Sequence, residues 1–186
     1  MISYTVVRSN RKTLALQVRP DGVTVRAPRR CTDAEIERFV SSRTEWIEKT
    51  LTKLKMRRQR LEAVDPLSEE ELRSIRAEAR RVIPERVKYY ASLAGVTYRS
   101  ITIRLQRTRW GSCSSRGTLS FNCLLMLTPP EVLDSVIVHE LCHLKEMNHS
   151  KRFYEEVLRI YPDYYRWNKW LRENGDVLMR RARGDA

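Results

Sequence analysis

Histidine is scarce in this chain. Only 3 of its 186 residues are histidine, and all of them lie between positions 139 and 149. Glycine and proline are also few, 6 and 7, and no internal repeat or low-complexity tract occurs, which excludes collagen-like, linker-rich and solenoid classes. No apolar run approaches the roughly 18–20 residues that cross a bilayer. Residues 1–8 show no basic region followed by an apolar stretch, so the expectation is a protein with no membrane segment and a cytoplasmic location. The four cysteines, Cys31, Cys113, Cys123 and Cys142, form no C-x-x-C pair. That argues against a zinc ribbon or a thioredoxin-like motif and leaves reduced thiols acting as core filler. A glycine-rich phosphate loop is missing too, and no paired carboxylates for magnesium are evident.

Positive charge is what the chain has in excess, with a formal net of +13. Residues 1–64 hold 15 basic and 7 acidic side chains, whereas residues 65–100 hold 7 and 6, and residues 101–186 hold 14 and 10. A basic front of this kind favours anionic partners such as nucleic acid, nucleotides or an acidic peptide. The plainer reading is a solvated basic surface, since few aromatics interleave the cations.

Hydropathy patterning predicts strands over 2–8, 13–19 and 23–28, with Pro20-Asp21-Gly22 as the turn of a small antiparallel hairpin. A helix is expected from Thr32, capped reciprocally by Glu35, with Ile36, Phe39, Val40, Ile47, Leu51 and Leu54 on one face as far as Asp65-Pro66. A second starts at Ser68 with Glu71 as its capping partner, and Pro84 should kink or interrupt it. Strands return between 96 and 127. Leu124 to Leu127 reads as a short buried strand or a lead-in to the next helix. The division expected is a basic N-terminal piece, 1–66, and a metal-binding catalytic domain, 67–186. Trp167, Trp170 and Leu171 mark the core face of a last helix, and Arg180, Arg181 and Arg183 a frayed basic end.

The helix after residue 127 carries the chemistry. Thr128 is its expected cap, Pro129 its first residue and Glu131 the capping-box partner. His139 and His143 stand at i and i+4, one turn apart on the same face, so two imidazoles can grip one ion. A polar turn then lets the chain return and offer His149 as a third nitrogen. Glu140 sits beside the first ligand, where its carboxylate can act as general base. Chance places an H-E-x-x-H in roughly 0.4% of random sequences of this composition. Three imidazoles suit zinc, leaving the fourth position open for a water whose pKa falls to about 7; iron and manganese are compatible with the same donors. Arg109, beside Trp110 at a strand–turn junction, is a candidate for stabilising developing oxyanion charge, a structural ion pair being its plainer reading. Tyr154, Tyr161, Tyr164 and Tyr165 are alternatives for an electrophilic hydroxyl. Cys142 should face away from the metal.

Three stretches, Arg109-Trp110-Gly111-Ser112-Cys113, Leu119-Ser120-Phe121-Asn122 and His139-Glu140-Leu141-Cys142-His143 through Asn148-His149-Ser150 to Phe153, resemble the YgjP-like family of small zinc metallopeptidase-type proteins. These are related more loosely to SprT-like zincins. The resemblance implies an α+β fold with a zincin-like core, an active-site helix packed against a small antiparallel sheet, and a strand lining the cleft. The first functional expectation is a peptidase acting on a peptide or protein substrate: a cleft beside a strand holds an extended chain by main-chain hydrogen bonds, and zinc-bound water attacks its carbonyl. Two further readings stay open: a metal-dependent nucleotide pyrophosphatase or phosphohydrolase, favoured by the basic surplus, and a protease delivered to nucleic acid. A non-catalytic nucleic-acid binder ranks last, because it leaves Glu140 idle. Oligomeric state is left open.

Overall fold

A computed structural model describes residues 2–182, so Arg183 of the basic tail lies outside the described residues. The chain forms two compact units, 1–63 and 64–186. Among the described residues no helix is long and apolar enough to cross a membrane.

The first unit contains β1 (Thr5–Ser9), β2 (Ala15–Arg19), β3 (Gly22–Pro28), α1 (Asp33–Ser41) and α2 (Thr44–Glu62). The hairpin of β2 and β3 forms as expected. β1, however, pairs with β3 in parallel, giving the order β1-β3-β2 and a mixed sheet rather than an antiparallel one. Alternation identifies strands but not their partners. β3 takes the centre because its Val23, Val25 and Ala27 are the fully buried set, packing with Ile36, Val40 and Ile47 of the helices. The capping box of Thr32 and Glu35 is present. The single long helix expected next is broken at Ser42–Arg43. There the Ser42 hydroxyl donates to the Phe39 carbonyl (2.9 Å) and the Thr44 hydroxyl to that of Ser41 (3.1 Å), competing with the main-chain ladder.

The second unit runs α3 (Glu69–Ala94), β4 (Ser100–Arg104), β5 (Gly111–Cys113), β6 (Thr118–Asn122), a 3₁₀ turn over Cys123–Leu127, α4 (Pro130–Cys142), α5 (Lys151–Ile160) and α6 (Tyr164–Arg181). Its sheet, ordered β4-β6-β5, is again mixed, with β4 parallel and β5 antiparallel to β6. Pro84 does not interrupt α3. Ala79, Ile83 and Val87, all fully buried on either side of it, hold the helix together against a proline cost of about 3 kcal/mol. The start of α4 also differs from expectation. Pro129 precedes another proline, which disfavours helical dihedrals for it; it is extended (φ −51°, ψ 143°) and serves as N-cap without a side-chain bond. Thr128 instead donates to the Leu125 carbonyl (2.7 Å). The core gathers α4 between α3, β5, α5 and α6 around Phe121, Ile137, Leu141, Phe153 and Val157.

One polar group fixes α3 to the start of α4. Asp134, only 4% exposed, accepts from Arg86 through both carboxylate oxygens and from the Tyr90 hydroxyl (3.0 Å). Arg86→Met strands that carboxylate with a single partner. A loss of about 3 kcal/mol is expected, read as a lower denaturant midpoint at unchanged slope. Arg86→Met with Asp134→Asn should recover part of it.

Candidate metal centre

The last turn of α4 presents His139, Glu140 and His143, the latter as the helix C-cap. The Leu144–Lys145 turn then reverses the chain, and Ser150 caps α5 by accepting from the Phe153 amide (3.3 Å). This return brings His149 back: its Nε2 lies 3.1 Å from Nε2 of His139, and that of His143 lies 3.2 Å from it. Tetrahedral coordination with metal–nitrogen bonds of 2.0–2.1 Å separates ligand nitrogens by about 3.3 Å. Two of the three separations are close to that value and all three nitrogens lie within 4.8 Å of one another, a cluster that could hold one metal ion.

Tautomers follow from the outer partners. The Glu146 carbonyl can only accept, so Nδ1 of His143 (3.1 Å) carries the proton and Nε2 offers its lone pair. Nδ1 of His139 meets the Tyr164 hydroxyl at 2.8 Å, and Tyr164 in turn accepts from Asn168 at 2.9 Å. Tyr164 and Asn168 are one helical turn apart on α6, so the pair is held by a single rigid element. Burial, then the neighbouring His143 and His149, pushes His139 down to about 3, keeping it neutral and ready to ligate. Phe153, fully buried, closes the floor. Its ring centroid lies 4.5 Å from His143 and 4.9 Å from both His139 and His149.

Glu140 is 6% exposed and makes no side-chain hydrogen bond among the described residues. Burial pushes it up to about 8. Its side chain lies directly on Gly111 of β5: a methyl group there would stand 2.6 Å from Oε1 and 2.7 Å from Cγ. Glycine at 111 is thus what lets the carboxylate reach the cleft. The same logic explains Gly175 inside α6, where helix propensity disfavours glycine. The Trp110 indole rests on it, 2.9 Å from where a Cβ would be, and forms a cleft wall.

Arg109 is exposed and lines this cleft with Trp110, Gly111, His139, Glu140 and Tyr164. Asn122, fully buried, shapes the loop before β5 by donating to the carbonyls of Gln106 and Arg109 (both 2.9 Å). Of the four tyrosines, only Tyr164 touches a histidine nitrogen. Tyr161 donates to the Glu131 carbonyl (3.0 Å), and Tyr154 stacks between His149 and Tyr165. Cys142 is buried and its thiol is pushed up to about 12, chiefly by burial. Sequence reasoning gave no role to Phe153, Asn168 or Gly111; the Tyr164/Asn168 spacing was the available signal.

The returning loop is tied down by charge. Lys145 donates to Glu156 of α5 (2.5 Å), which also receives both arms of Arg159 (2.7 and 2.9 Å). Arg159 foremost, then Lys145, holds the Glu156 carboxyl down to about 2. A carboxylate depressed in the folded state contributes stability fully present above its unfolded value of about 4.3, lost as pH falls through 2. Glu156→Gln should therefore melt lower than wild type at pH 7, and the gap should close between pH 4 and 2 in a melting-temperature series.

The family model described as YgjP-like, metallopeptidase domain, matches residues 12–73 and 67–174. The chain belongs to the YgjP-like family. The α+β class expected from the sequence is the one formed, with six α-helices and two three-stranded sheets among the described residues. A UTP pyrophosphatase of Escherichia coli (strain K12) is 30% identical over 61 residues, which are 33% of this chain and 36% of that protein. The chain thus matches about a third of that relative's length. Among solved structures, the metallopeptidase zymogens of Pyrococcus abyssi abylysin and Methanocaldococcus jannaschii jannalysin are similar at TM-scores of 0.45 and 0.44, with 19% and 24% identity. They cover 50% of this chain and 94% and 95% of their own.

Proposed function

We infer that the chain is a zinc-dependent metallopeptidase with His139, His143 and His149 as ligands and Glu140 as general base. The observation that carries this is the convergence of three imidazole nitrogens beside a buried carboxylate without a partner, at the open edge of β5. Zinc, when bound, supplies Lewis acidity there, acidifying a water and polarising a substrate oxygen. The rest is done by the chain's own groups. Glu140, whose burial raises its proton affinity, takes the proton of the attacking water and passes it to the leaving amine. Tyr164 and the Glu146 carbonyl hold His139 and His143 in their ligating orientation.

The substrate reading rests on main-chain geometry. The Trp110 carbonyl accepts from the Asn122 amide, and the Ser114 amide donates to Thr118 (both 2.9 Å). Residues 110, 112 and 114 therefore turn their main-chain groups to β6, while those of Gly111 and Cys113 face the open side. An extended peptide adding there as a strand lies against Glu140. Arg109 is placed to meet substrate charge at the cleft mouth.

A nucleotide phosphohydrolase is the second reading, favoured by the UTP pyrophosphatase relative and by Arg109 at the cleft, where a guanidinium suits phosphate. One experiment separates the two. Zinc-loaded protein is offered unfolded proteins and a nucleotide panel in parallel, with Glu140→Gln alongside. Peptide-bond turnover lost in the variant supports the peptidase. Nucleotide turnover lost in the variant replaces it with the second reading.

A further inference from the structure

The 19-residue helix α2 fully buries only Ile47, and Trp46 next to it is 52% exposed. An exposed indole offers a flat face on which a planar partner can stack. Lys49, Lys53, Arg57 and Arg60 follow Trp46 at helical spacings, so all five share one face about 21 Å long, and every one is exposed. Glu45 pairs with Lys49 at the edge of this face. Glu48 and Glu62 fall on the opposite side, the latter paired with Arg58 (2.7 Å). At the top of the stripe Trp46 borders an open groove with Leu16, Phe39 and Arg43. The Arg43 guanidinium lies 4.0 Å over the Phe39 ring and donates to the Ser42 hydroxyl (2.8 Å), which holds it in place. The surrounding unit carries 15 basic against 7 acidic side chains.

We propose that this face of the first unit binds single-stranded nucleic acid, one base stacking in the Trp46–Phe39 groove beside Arg43 while the phosphates follow the Lys49–Arg60 stripe. Charge complementarity selects a polyanion, and the exposed aromatic wall selects one with unstacked bases. A base offers a flat face to the indole only when it has left its duplex. Net charge alone carries neither choice; the aromatic among the cations does. The proposal is independent of the chemistry at the histidine cluster, which belongs to the other unit.

The test is fluorescence anisotropy of the whole 186-residue chain with labelled oligothymidylate and oligouridylate of about 12 nucleotides. Neutralising about three phosphates predicts a log–log salt slope near −2. Trp46→Ala should weaken binding about tenfold or more with the slope unchanged, and Trp46→Phe should restore most of the affinity. Lys53→Glu with Arg57→Glu should flatten the slope by roughly 1.4. Circular dichroism confirms that each variant folds. Affinity indifferent to Trp46→Ala overturns the proposal. So does equal or tighter binding of duplex, or capture by phosphatidylserine vesicles in preference to the oligonucleotide, which would assign the face to a generic polyanion or a membrane surface.

Discussion

Glu140→Gln should bind zinc as wild type does and turn over substrate about 10²- to 10⁴-fold more slowly, the range spanned by general acid–base catalysis. The amide has the carboxylate's shape, so it can lie on Gly111 in the same place. The substitution removes a proton acceptor and little else. Burial already disfavours the charged form of Glu140, so a neutral amide in its place should not lower thermal stability. Metal content by mass spectrometry, melting temperature and kcat on one preparation make the measurement. Full activity with Gln at 140 would exclude Glu140 as the base. Lost zinc would make it a contributor to the metal site instead. The fall should appear in kcat rather than KM, because Glu140 offers the ground-state substrate no cation and its own carboxylate is packed against β5.

What could be read from the chain alone was local and periodic. The Thr32/Glu35 and Ser68/Glu71 capping boxes formed as expected, because a cap involves residues three apart. His139 and His143 share a face because 3.6 residues make a turn. The convergence of His149 was legible for a related reason: the polar turn after His143 is too short to carry it far away. Strand partnership was not legible. The parallel pairing of β1 with β3 and of β4 with β6 depends on which strand buries most, a property of the assembled core. Thr128 shows how one neighbour overrides a strong local pattern, since Pro130 disfavours helical dihedrals at 129 and the cap moves there. The outer partners of the histidines were hidden for another reason. Tyr164 reaches His139 across 25 residues, and Gly111 meets Glu140 from another element, contacts with no periodicity to betray them. The role of Phe153 is of the same kind.

Phe153 is the residue whose loss should couple folding to metal binding most directly. It is fully buried and touches the rings of all three histidines, at centroid distances of 4.5–4.9 Å. Phe153→Ala should cost about 3–5 kcal/mol, as large-to-small changes of buried aromatics do, against a total stability of order 5–15 kcal/mol. Part of that cost falls on the site itself. Without the ring His143 loses the surface it stacks on, and His149, the most exposed of the three, loses the contact that holds it near His139. Zinc should bind more weakly by about 10- to 100-fold, the loss typical of disturbed outer-shell support. Zinc should consequently raise the melting temperature of the variant less than that of wild type at equal concentration, since stabilisation by a ligand grows with its concentration over its Kd. Phe153→Leu separates the two effects. It refills most of the volume, so denaturant midpoints should largely recover, while the flat face under His143 stays absent and chelator competition should still report weaker zinc. Recovery of both together would reduce Phe153 to core filling; recovery of stability alone makes it the floor of the metal centre.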